Sequence, residues 1–504
     1  MMSYKGEKNN MIAFETPLKE LKFLVLKEIV GLVRQDKLTK SELEKIPFKI
    51  APGDKAQYRC CVYKERAVIY ERTQLAAGFL PIDNLARDLV DADDKQVIYV
   101  LPAACDKCPI HKYTVTEACR GCIQHKCMEV CPAGAITRVD GRSYINHELC
   151  KECGMCKKVC PYNAIAEVMR PCKKSCPTGA LEINPDDRKA IIKKEKCISC
   201  GACMAACPFG AISDRSFIIE VTKELMSNKN VYAVVGPAIT GQFGNKVSVS
   251  KIKNAFKAVG FSDMLEAACG ADAVTVHESN EFVERMENGD KYMTSSCCPG
   301  FVNYVEKMLP DQSERMSGTV SPMVAAGRMI KKFDKDAVVV FMGPCTAKKT
   351  EIKRESVKDS VDYVLTFEEA AALLAGFGVD PEECDDTDVN DASSFGRGFA
   401  QSGGLTAAIE NYVGDKRLKV KFNSIKVSGA GEIKKAMIMA KVGKISQNFI
   451  EGMMCEGGCI GGPAAMSSAA KSRPQLIKFK NKSDKKSVLD NENLKKFDDV
   501  NLEK

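Results

Sequence analysis

Apolar residues recur at helical spacing near the start of the chain. Residues 18–33 predict one helix, and Ser41 with Glu44 predicts a capping box that opens a second. The following run RCCVYKERAVIY is typical of a strand, on which Cys60 and Cys61 would face opposite sides. This alternation favours two packing thiols in the interior over two ligands of one metal.

Beyond residue 217 the pattern changes to buried strands alternating with amphipathic helices. The runs VYAVVGPAI, AVVVFMGPC and VDYVLT predict strands, and helices are predicted over residues 250–259, 271–286, 299–309 and 321–333. Such alternation is typical of α/β layers, which place ligands on loops where strands end, as AVVVFMGPC does for Cys345. From about residue 471 the chain is rich in Lys, Asn and Asp, which predicts a partly ordered surface tail.

The composition describes a globular protein of two to four domains with unusually many cysteines. The chain has 504 residues, of which 45% are hydrophobic and 28% charged, and no apolar run is long enough to cross a membrane. The opening stretch MMSYKGEKNN lacks the apolar core of a secretory signal. The 25 cysteines therefore predict metal binding in the cytoplasm rather than a disulfide framework.

Charge adds little to this picture. The net charge of +8 favours an acidic partner such as a small electron carrier, but an ordinary solvated surface explains it equally well. No basic stretch is interleaved with aromatic residues, so we expect no nucleic-acid binding. The sequence does not indicate an oligomeric state.

Sixteen cysteines fall between residues 105 and 207, in runs that match or approach the bacterial ferredoxin pattern. In that pattern three closely spaced thiolates bind one cluster and the fourth crosses to its neighbour. The crossing rule predicts three 4Fe–4S sets: Cys119, Cys122, Cys127 with Cys160; Cys150, Cys153, Cys156 with Cys131; and Cys197, Cys200, Cys203 with Cys176. The remaining four either complete a fourth cluster or leave that site empty: Cys105, Cys108, Cys172 and Cys207.

Three later loops, TSSCCPGF, FMGPCTAKKTE and EGMMCEGGCIGGP, each carry cysteine beside a glycine-containing turn. Together Cys298, Cys345, Cys455 and Cys459 make a complete thiolate set for a cubane cluster. Cys297 is left over, next to that set.

These loops resemble the three signature motifs of iron-only (di-iron) hydrogenases, and the cysteine runs resemble that family's accessory domain. The spellings SCCPGF, GPCTAKK and MMCEGGCIGGP are similar to a less studied clostridial-type subgroup. The resemblance implies a multidomain α/β (α+β) protein. Tandem bacterial-ferredoxin-like 4Fe–4S modules (101–215) precede a two-lobed catalytic domain (216–470). We expect an N-terminal domain without an assigned role (1–100) and a basic, polar C-terminal tail (471–504) around them.

The resemblance also implies roles for residues around a two-part cofactor. The four loop thiols would hold its cubane half, and Cys459 would bridge to a di-iron half bearing carbonyl, cyanide and azadithiolate ligands. Cys297 matches the thiol that exchanges protons with the azadithiolate amine. Lys348 matches the lysine that hydrogen-bonds a cyanide. Pro237 and Met453 match residues of the surrounding pocket.

The segment HESNEFVER resembles the family's proton relay. Glu278, Glu281 and Arg285 fall in relay positions, and Ser317 matches the relay serine. Their spacing of three and four places the first three on one helix face. By itself, that spacing is more typical of a solvated, salt-bridged face.

Four positions depart from the family pattern: Gly343, Ala238, Met323 and Phe301 replace larger or more polar residues. These changes predict a less polar pocket and leave the ligand set intact.

The resemblance implies reversible formation of dihydrogen from two protons and two electrons. Electrons would pass through the ferredoxin-type clusters to or from ferredoxin, and hydrogenase maturation proteins would supply the di-iron half. Two alternatives are a hydrogen sensor with low turnover and an iron–sulfur assembly or scaffold protein. A scaffold needs neither Cys297 nor Lys348, and no output domain of a sensor is evident.

Overall fold

The computed structural model describes residues 14–81, 89–93, 95–106, 108–109, 111–417 and 420–504. The opening stretch MMSYKGEKNN, for which no secretory signal was predicted, lies outside the described residues. Within the described part of the chain, no helix is both long enough and apolar enough to span a membrane.

Three kinds of structure follow one another along the described chain. The N-terminal helices are α1 (Pro17–Arg34), α2 (Lys40–Ile50) and α3 (Val62–Ala76). The cysteine-rich region contains β1 (Ile98–Val100), β2 (Tyr113–Val115), α4 (Lys126–Glu129), β3 (Ile136–Val139), β4 (Arg142–Ile145), α5 (Met155–Val159), β5 (Ile165–Glu167), α6 (Pro171–Ser175), β6 (Leu181–Ile183), β7 (Ala190–Ile192), α7 (Ala202–Ala206) and β8 (Ile212–Asp214). The remainder contains α8 (Ile218–Leu225), β9 (Val231–Val235), α9 (Val249–Ala258), β10 (Asp263–Glu266), α10 (Ala267–Glu287), β11 (Met293–Thr294), α11 (Pro299–Met308), α12 (Pro322–Phe333), β12 (Val338–Met342), α13 (Lys348–Glu351), β13 (Tyr363–Leu365), α14 (Phe367–Phe377), α15 (Ser394–Gly398), α16 (Gly404–Asp415), β14 (Ser424–Ser428), α17 (Ala430–Lys441), β15 (Phe449–Met453) and α18 (Ala469–Asn481).

Two parallel sheets position the three cysteine-bearing loops. One has the strand order β10-β9-β12-β13 and the other β11-β15-β14. Strands β12 and β15 are buried along their whole length, as expected for strands covered on both faces. The loops leave the carboxyl ends of β11, β12 and β15, so the prediction that β12 delivers Cys345 is confirmed. The helices predicted at 250–259, 271–286, 299–309 and 321–333 are α9 to α12.

The cysteine-rich region is built from short antiparallel strand pairs and single-turn helices. Pairs β2–β5, β3–β4, β6–β7 and β1–β8 form its ladders. Helix α4 packs against α5, and α6 packs against α7, which gives two ferredoxin-like halves. Each of these four helices carries one cysteine of a run, namely Cys127, Cys156, Cys172 and Cys203.

Helix α1 is part of the same hydrophobic core as the sheet that carries β12. Thr16 caps its start by accepting a hydrogen bond from the Lys19 N–H at 3.3 Å. Its apolar stripe, which includes Val25 and Ile29, is fully buried and packs against α14. The predicted N-terminal domain over residues 1–100 therefore shares its core with the region predicted to be catalytic.

Two local predictions in this region were wrong. Helix α2 begins at Lys40 with Thr39 as its cap, so Ser41 does not open a capping box. The run predicted to be a strand forms α3, because Glu65 inside it accepts the Gln57 N–H at 2.7 Å and fixes the first helical turn. Cys60 and Cys61 precede that turn and are exposed rather than packed in the interior.

The C-terminal tail is packed against the catalytic region, which corrects the prediction of a partly ordered surface tail. It contains α18 and then a segment in which Val488, Phe497 and Leu502 are buried. These three apolar residues are too widely spaced for a periodic signal, and each fills a separate gap in one core. The lysines between them face solvent, and their number dominated the sequence pattern.

A buried charge network joins the three parts of the chain. Lys22 of α1 contacts Asp214 at 2.7 Å and Glu368 at 2.6 Å. Lys349 of α13 contacts Asp214 at 2.7 Å and Glu369 at 2.9 Å. Although burial alone would raise the pKa of Asp214, the two lysines hold it well below its usual range. All five groups therefore remain charged inside the protein.

Candidate metal centres

Four buried thiols from three loops meet between the two parallel sheets. Cys298 caps the start of α11, Cys345 follows β12, and Cys455 and Cys459 follow β15. Burial, reinforced by the neighbouring thiols, raises the pKa of Cys345 to about 11 and of Cys459 to about 12, and it raises that of Cys455 well above its usual range. Thiolates at this position need a compensating positive charge, which the iron of a cluster would supply. The donor set therefore fits an iron–sulfur cluster.

Glycine is required where the third loop approaches its neighbours. Gly458 has φ +97°, and a Cβ there would lie 2.5 Å from the Ser402 nitrogen. A side chain at this position would push Cys455 and Cys459 apart from the other thiols, since Gly458 lies between them.

A small apolar cavity of about 70 Å³ lies beside the four thiols. Residues predicted to surround the di-iron half line it: Cys297, Cys345, Cys459, Lys348, Pro237 and Met453. Ala238 and Met323 also line it, so the predicted loss of polar side chains applies to this wall. Phe301, the fourth listed departure with Gly343, instead packs against Gly452, where a Cβ would lie 2.4 Å from its ring.

Lys348 brings a positive charge to this cavity. Its ammonium donates to Glu351 Oε2 at 2.9 Å and to Ser321 Oγ at 3.1 Å. Burial alone would lower the pKa of Lys348, but Glu351 raises it, so the ammonium stays charged. Two of its three N–H groups are engaged within the described residues, which leaves one for an anionic group in the cavity. The sequence did not single out Glu351 or Ser321.

The predicted relay residues lie on a line from the cavity to the surface. Cys297 is buried, and the charge of Glu278 contributes to the raised pKa of its thiol. Ser317 Oγ donates to Glu281 Oε2 at 2.6 Å, and Arg285 contacts Glu281 Oε1 at 2.8 Å. Exposure increases outward, from 0% for Glu278 to 16% for the Glu281 side chain and 24% for that of Arg285.

The two relay carboxylates have opposite electrostatic surroundings. Burial and the neighbouring Glu281 raise the pKa of Glu278 to about 8. Neither oxygen of Glu278 has a partner at hydrogen-bonding distance among the described residues, although Ser317 and Ser296 lie close enough to affect its pKa. Hydrogen bonds from Ser317, Gly318 and Thr319 outweigh burial and lower the pKa of Glu281.

The structure also brings together the four cysteine sets of the ferredoxin-like region. Cys119, Cys122, Cys127 and Cys160 line one cavity, and Cys131, Cys150, Cys153 and Cys156 line a second. Cys176, Cys197 and Cys200 each raise the pKa of Cys203, which places these four side by side. Cys105, Cys108 and Cys207 likewise contribute to raising the pKa of Cys172 to about 11, after its burial.

The third of these sets lies directly against the central thiols. Cys200 and Cys345 influence each other's surroundings, and Thr346 Oγ1 donates to the Ser199 carbonyl at 2.7 Å. Gly201 is packed so tightly that a Cβ would lie 2.6 Å from Pro463. No described group of three His, Cys, Asp or Glu side chains is arranged around a single metal ion.

We expect Cys105→Ala to lower the iron content by about four atoms per chain, since Cys105 belongs to the set whose occupancy the sequence left open. Iron and acid-labile sulfide, measured on anaerobically purified protein, test this result. Cys60→Ala removes an exposed thiol outside every set and serves as the control. Equal iron in both variants would show that the fourth site is empty.

Comparison with known proteins identifies the two main regions. Residues 229–463 match the family "Iron only hydrogenase large subunit, C-terminal domain". Residues 143–166 match a 4Fe–4S binding domain, and residues 166–218 match the LdpA Fe–S cluster-binding domain. The chain belongs to the iron-only hydrogenase family. The predicted resemblance and the α/β fold with a ferredoxin-like region are confirmed, and iron–sulfur clusters are cofactors of this family.

Among curated relatives, iron hydrogenase 1 of Clostridium pasteurianum is 28% identical over 64% of this chain and 65% of its own length. The chain thus spans just under two thirds of that relative. A cytosolic Fe–S cluster assembly factor of Kluyveromyces lactis is 28% identical over 28% of this chain and 24% of its own length. A solved FeFe hydrogenase of Chlamydomonas reinhardtii superimposes with a TM-score of 0.47 at 20% identity, covering 55% of this chain and 92% of that one. The iron-only hydrogenase family therefore has relatives here both with and without "hydrogenase" in their names.

Proposed function

We propose that this member of the family is a hydrogenase that interconverts two protons and two electrons with dihydrogen. The observation that carries the proposal is the position of Cys297. It is a buried thiol outside the four-thiol set, it lines the same cavity as Lys348, and it lies within electrostatic range of Glu278. A protein that only carries or stores clusters has no use for such a thiol.

The residues fit a two-part cofactor. Cys298, Cys345, Cys455 and Cys459 would hold a cubane, and the apolar cavity beside them would take a di-iron half bearing carbonyl, cyanide and azadithiolate ligands. When bound, this cofactor supplies the metal centre at which dihydrogen is made or split.

The protein's own contribution is to hold charge, exclude water and move protons. Lys348 would bind an anionic ligand of the di-iron half with its remaining N–H. The thiol of Cys297 would pass protons between the cavity and Glu278, whose pKa of about 8 suits transfer in both directions near neutral pH. Ser317, Glu281 and Arg285 would continue the path to the surface.

Electrons would travel through three or four 4Fe–4S clusters of the ferredoxin-like region to the cubane. Cys122 and Cys153 are exposed members of the first two sets, which supports entry or exit of electrons there. Ferredoxin or a similar acidic carrier in the cytoplasm is the proposed partner. Hydrogenase maturation proteins would provide the di-iron half.

The similarity to the assembly factor of Kluyveromyces lactis favours a second candidate, an iron–sulfur assembly function without turnover. The complete line from Cys297 to Arg285 argues against it, because cluster assembly requires no proton path into an apolar cavity.

Dihydrogen evolution from reduced methyl viologen tests the proposal directly. The full chain is prepared anaerobically, and half of the sample receives the di-iron cofactor while the other half serves as the control. We expect rapid evolution only from the loaded half. Loaded protein with near-zero evolution would instead indicate a sensor, and protein that does not take up the cofactor would indicate an assembly factor.

A further inference from the structure

The last residues of the chain pair with the segment that carries the relay serine. The Val320 N–H donates to the Leu502 carbonyl at 2.8 Å, and the Lys504 N–H donates to the Gly318 carbonyl at 2.9 Å. Thr319 and Glu503 form an antiparallel bridge between these contacts. The path of the backbone at Ser317 is therefore set in part by residues almost two hundred positions away.

The pairing places the side chain of Lys504 beside the relay. Its ammonium donates to the Ser317 carbonyl at 3.2 Å, while the hydroxyl of the same serine donates to Glu281. Burial lowers the pKa of Lys504, and the carboxylates of Glu351 and Glu278 act in the opposite direction. Since the residue as a whole is exposed, the buried part is its ammonium end.

The other cations around the relay already have carboxylate partners. Arg285 is paired with Glu281, and Lys348 with Glu351. Arg354, which also faces Lys504, is paired with Glu306. Of the charged groups that act on Glu278 among the described residues, Glu281 disfavours its ionised form and Lys504 favours it. Cys297 faces Glu278 from the cavity side.

We propose that Lys504 is a positioning residue of the proton relay. Its ammonium fixes the Ser317 backbone and supplies the positive charge that allows Glu278 to release its proton. The inference rests on the proposed function for its biological role, but the interaction between Lys504 and Glu278 is measurable without turnover.

The test follows the protonation of Glu278 by infrared spectroscopy on the full chain with its iron–sulfur clusters. The carboxyl band is assigned by its loss in Glu278→Gln. We expect Lys504→Met to raise the titration midpoint of this band by about one pH unit, a tenfold change in proton affinity, because the nearby positive charge is lost. Lys504→Arg keeps the charge and should titrate like the unaltered protein.

Two further variants separate charge from hydrogen bonding and from fold. Lys504→Gln retains an N–H donor for the Ser317 carbonyl without the charge, and it should shift the midpoint as Lys504→Met does. It also serves as the test variant should Lys504→Met fail to fold. Lys495→Met removes an exposed lysine of the same segment and should leave the midpoint unchanged. A midpoint in Lys504→Gln equal to that of the unaltered protein would overturn the inference.

The outcome is independent of the hydrogenase assay. A shifted midpoint in a protein that makes no dihydrogen would refute the proposed function and leave the electrostatic role of Lys504 intact. Normal dihydrogen evolution without any shift would refute only the role of Lys504. In an active protein, the pH profile of evolution in Lys504→Met should move to higher pH with the Glu278 midpoint.

Discussion

Cys297→Ala should lower dihydrogen evolution by about 10²-fold or more while the iron content stays unchanged. The thiol is the group that connects the apolar cavity with Glu278, and alanine leaves no donor or acceptor at that point. Cys297 is not one of the four thiols assigned to the central cluster, so the metal should remain bound. Evolution from reduced methyl viologen and an iron count on the same preparation provide the measurement.

Cys269→Ala is the matched control for that variant. Both thiols are buried in the same hydrophobic core, but Cys269 does not line the cavity. Its loss should leave evolution within about twofold. Unchanged evolution in Cys297→Ala would mean that protons use another route, and a loss of iron would mean that Cys297 is a cluster ligand.

Lys349→Met should lower the free energy of unfolding by about 3–5 kcal/mol, because it leaves buried carboxylates without their cation. Lys349 is fully buried, and its ammonium contacts both Asp214 and Glu369. A loss of 3 kcal/mol corresponds to a melting midpoint lower by about 6–12 °C for a domain of this size. Circular dichroism at a fixed scan rate, on iron-loaded protein, measures the midpoint.

Lys358→Met removes an exposed lysine from the same part of the chain and should change stability by less than about 0.5 kcal/mol. If Lys349→Met melted with the control, the buried network would be energetically neutral. The stabilisation involving Asp214 is present above the unfolded-state pKa of an aspartate and is lost only as the pH falls toward its much lower folded-state pKa. The difference between the two variants should therefore persist through neutral pH.

Local patterns predicted much of what this chain builds. The spacing of the cysteine runs and the crossing rule predicted sets that the structure brings together, including Cys176 with Cys203 and Cys105 with Cys172. The three-and-four spacing of Glu278, Glu281 and Arg285 corresponds to one face of α10. These predictions succeeded in placing residues because the partners lie within one motif or one helix.

Features that depend on distant partners could not be predicted in this way. Lys348 and Lys349 are adjacent in sequence, yet one lines the cavity and the other enters the buried network. Lys504 reaches Ser317 across 187 positions, and no local periodicity indicates such a contact. The same reason explains why the C-terminal segment was mistaken for a surface tail, since its few apolar residues gain their meaning only from the core they enter.

The packing of α1 against α14 has a consequence for how the chain is made. The first helix described here cannot bury its apolar stripe until residues near 367 exist, roughly 330 residues later. At ordinary rates of synthesis that interval lasts about 20–60 s. Throughout it, every cysteine of the ferredoxin-like region has been made while the helix that closes the core has no surface to close upon. Cluster loading there thus precedes the final docking of α1, and the earliest helix in the described chain is among the last to reach its place.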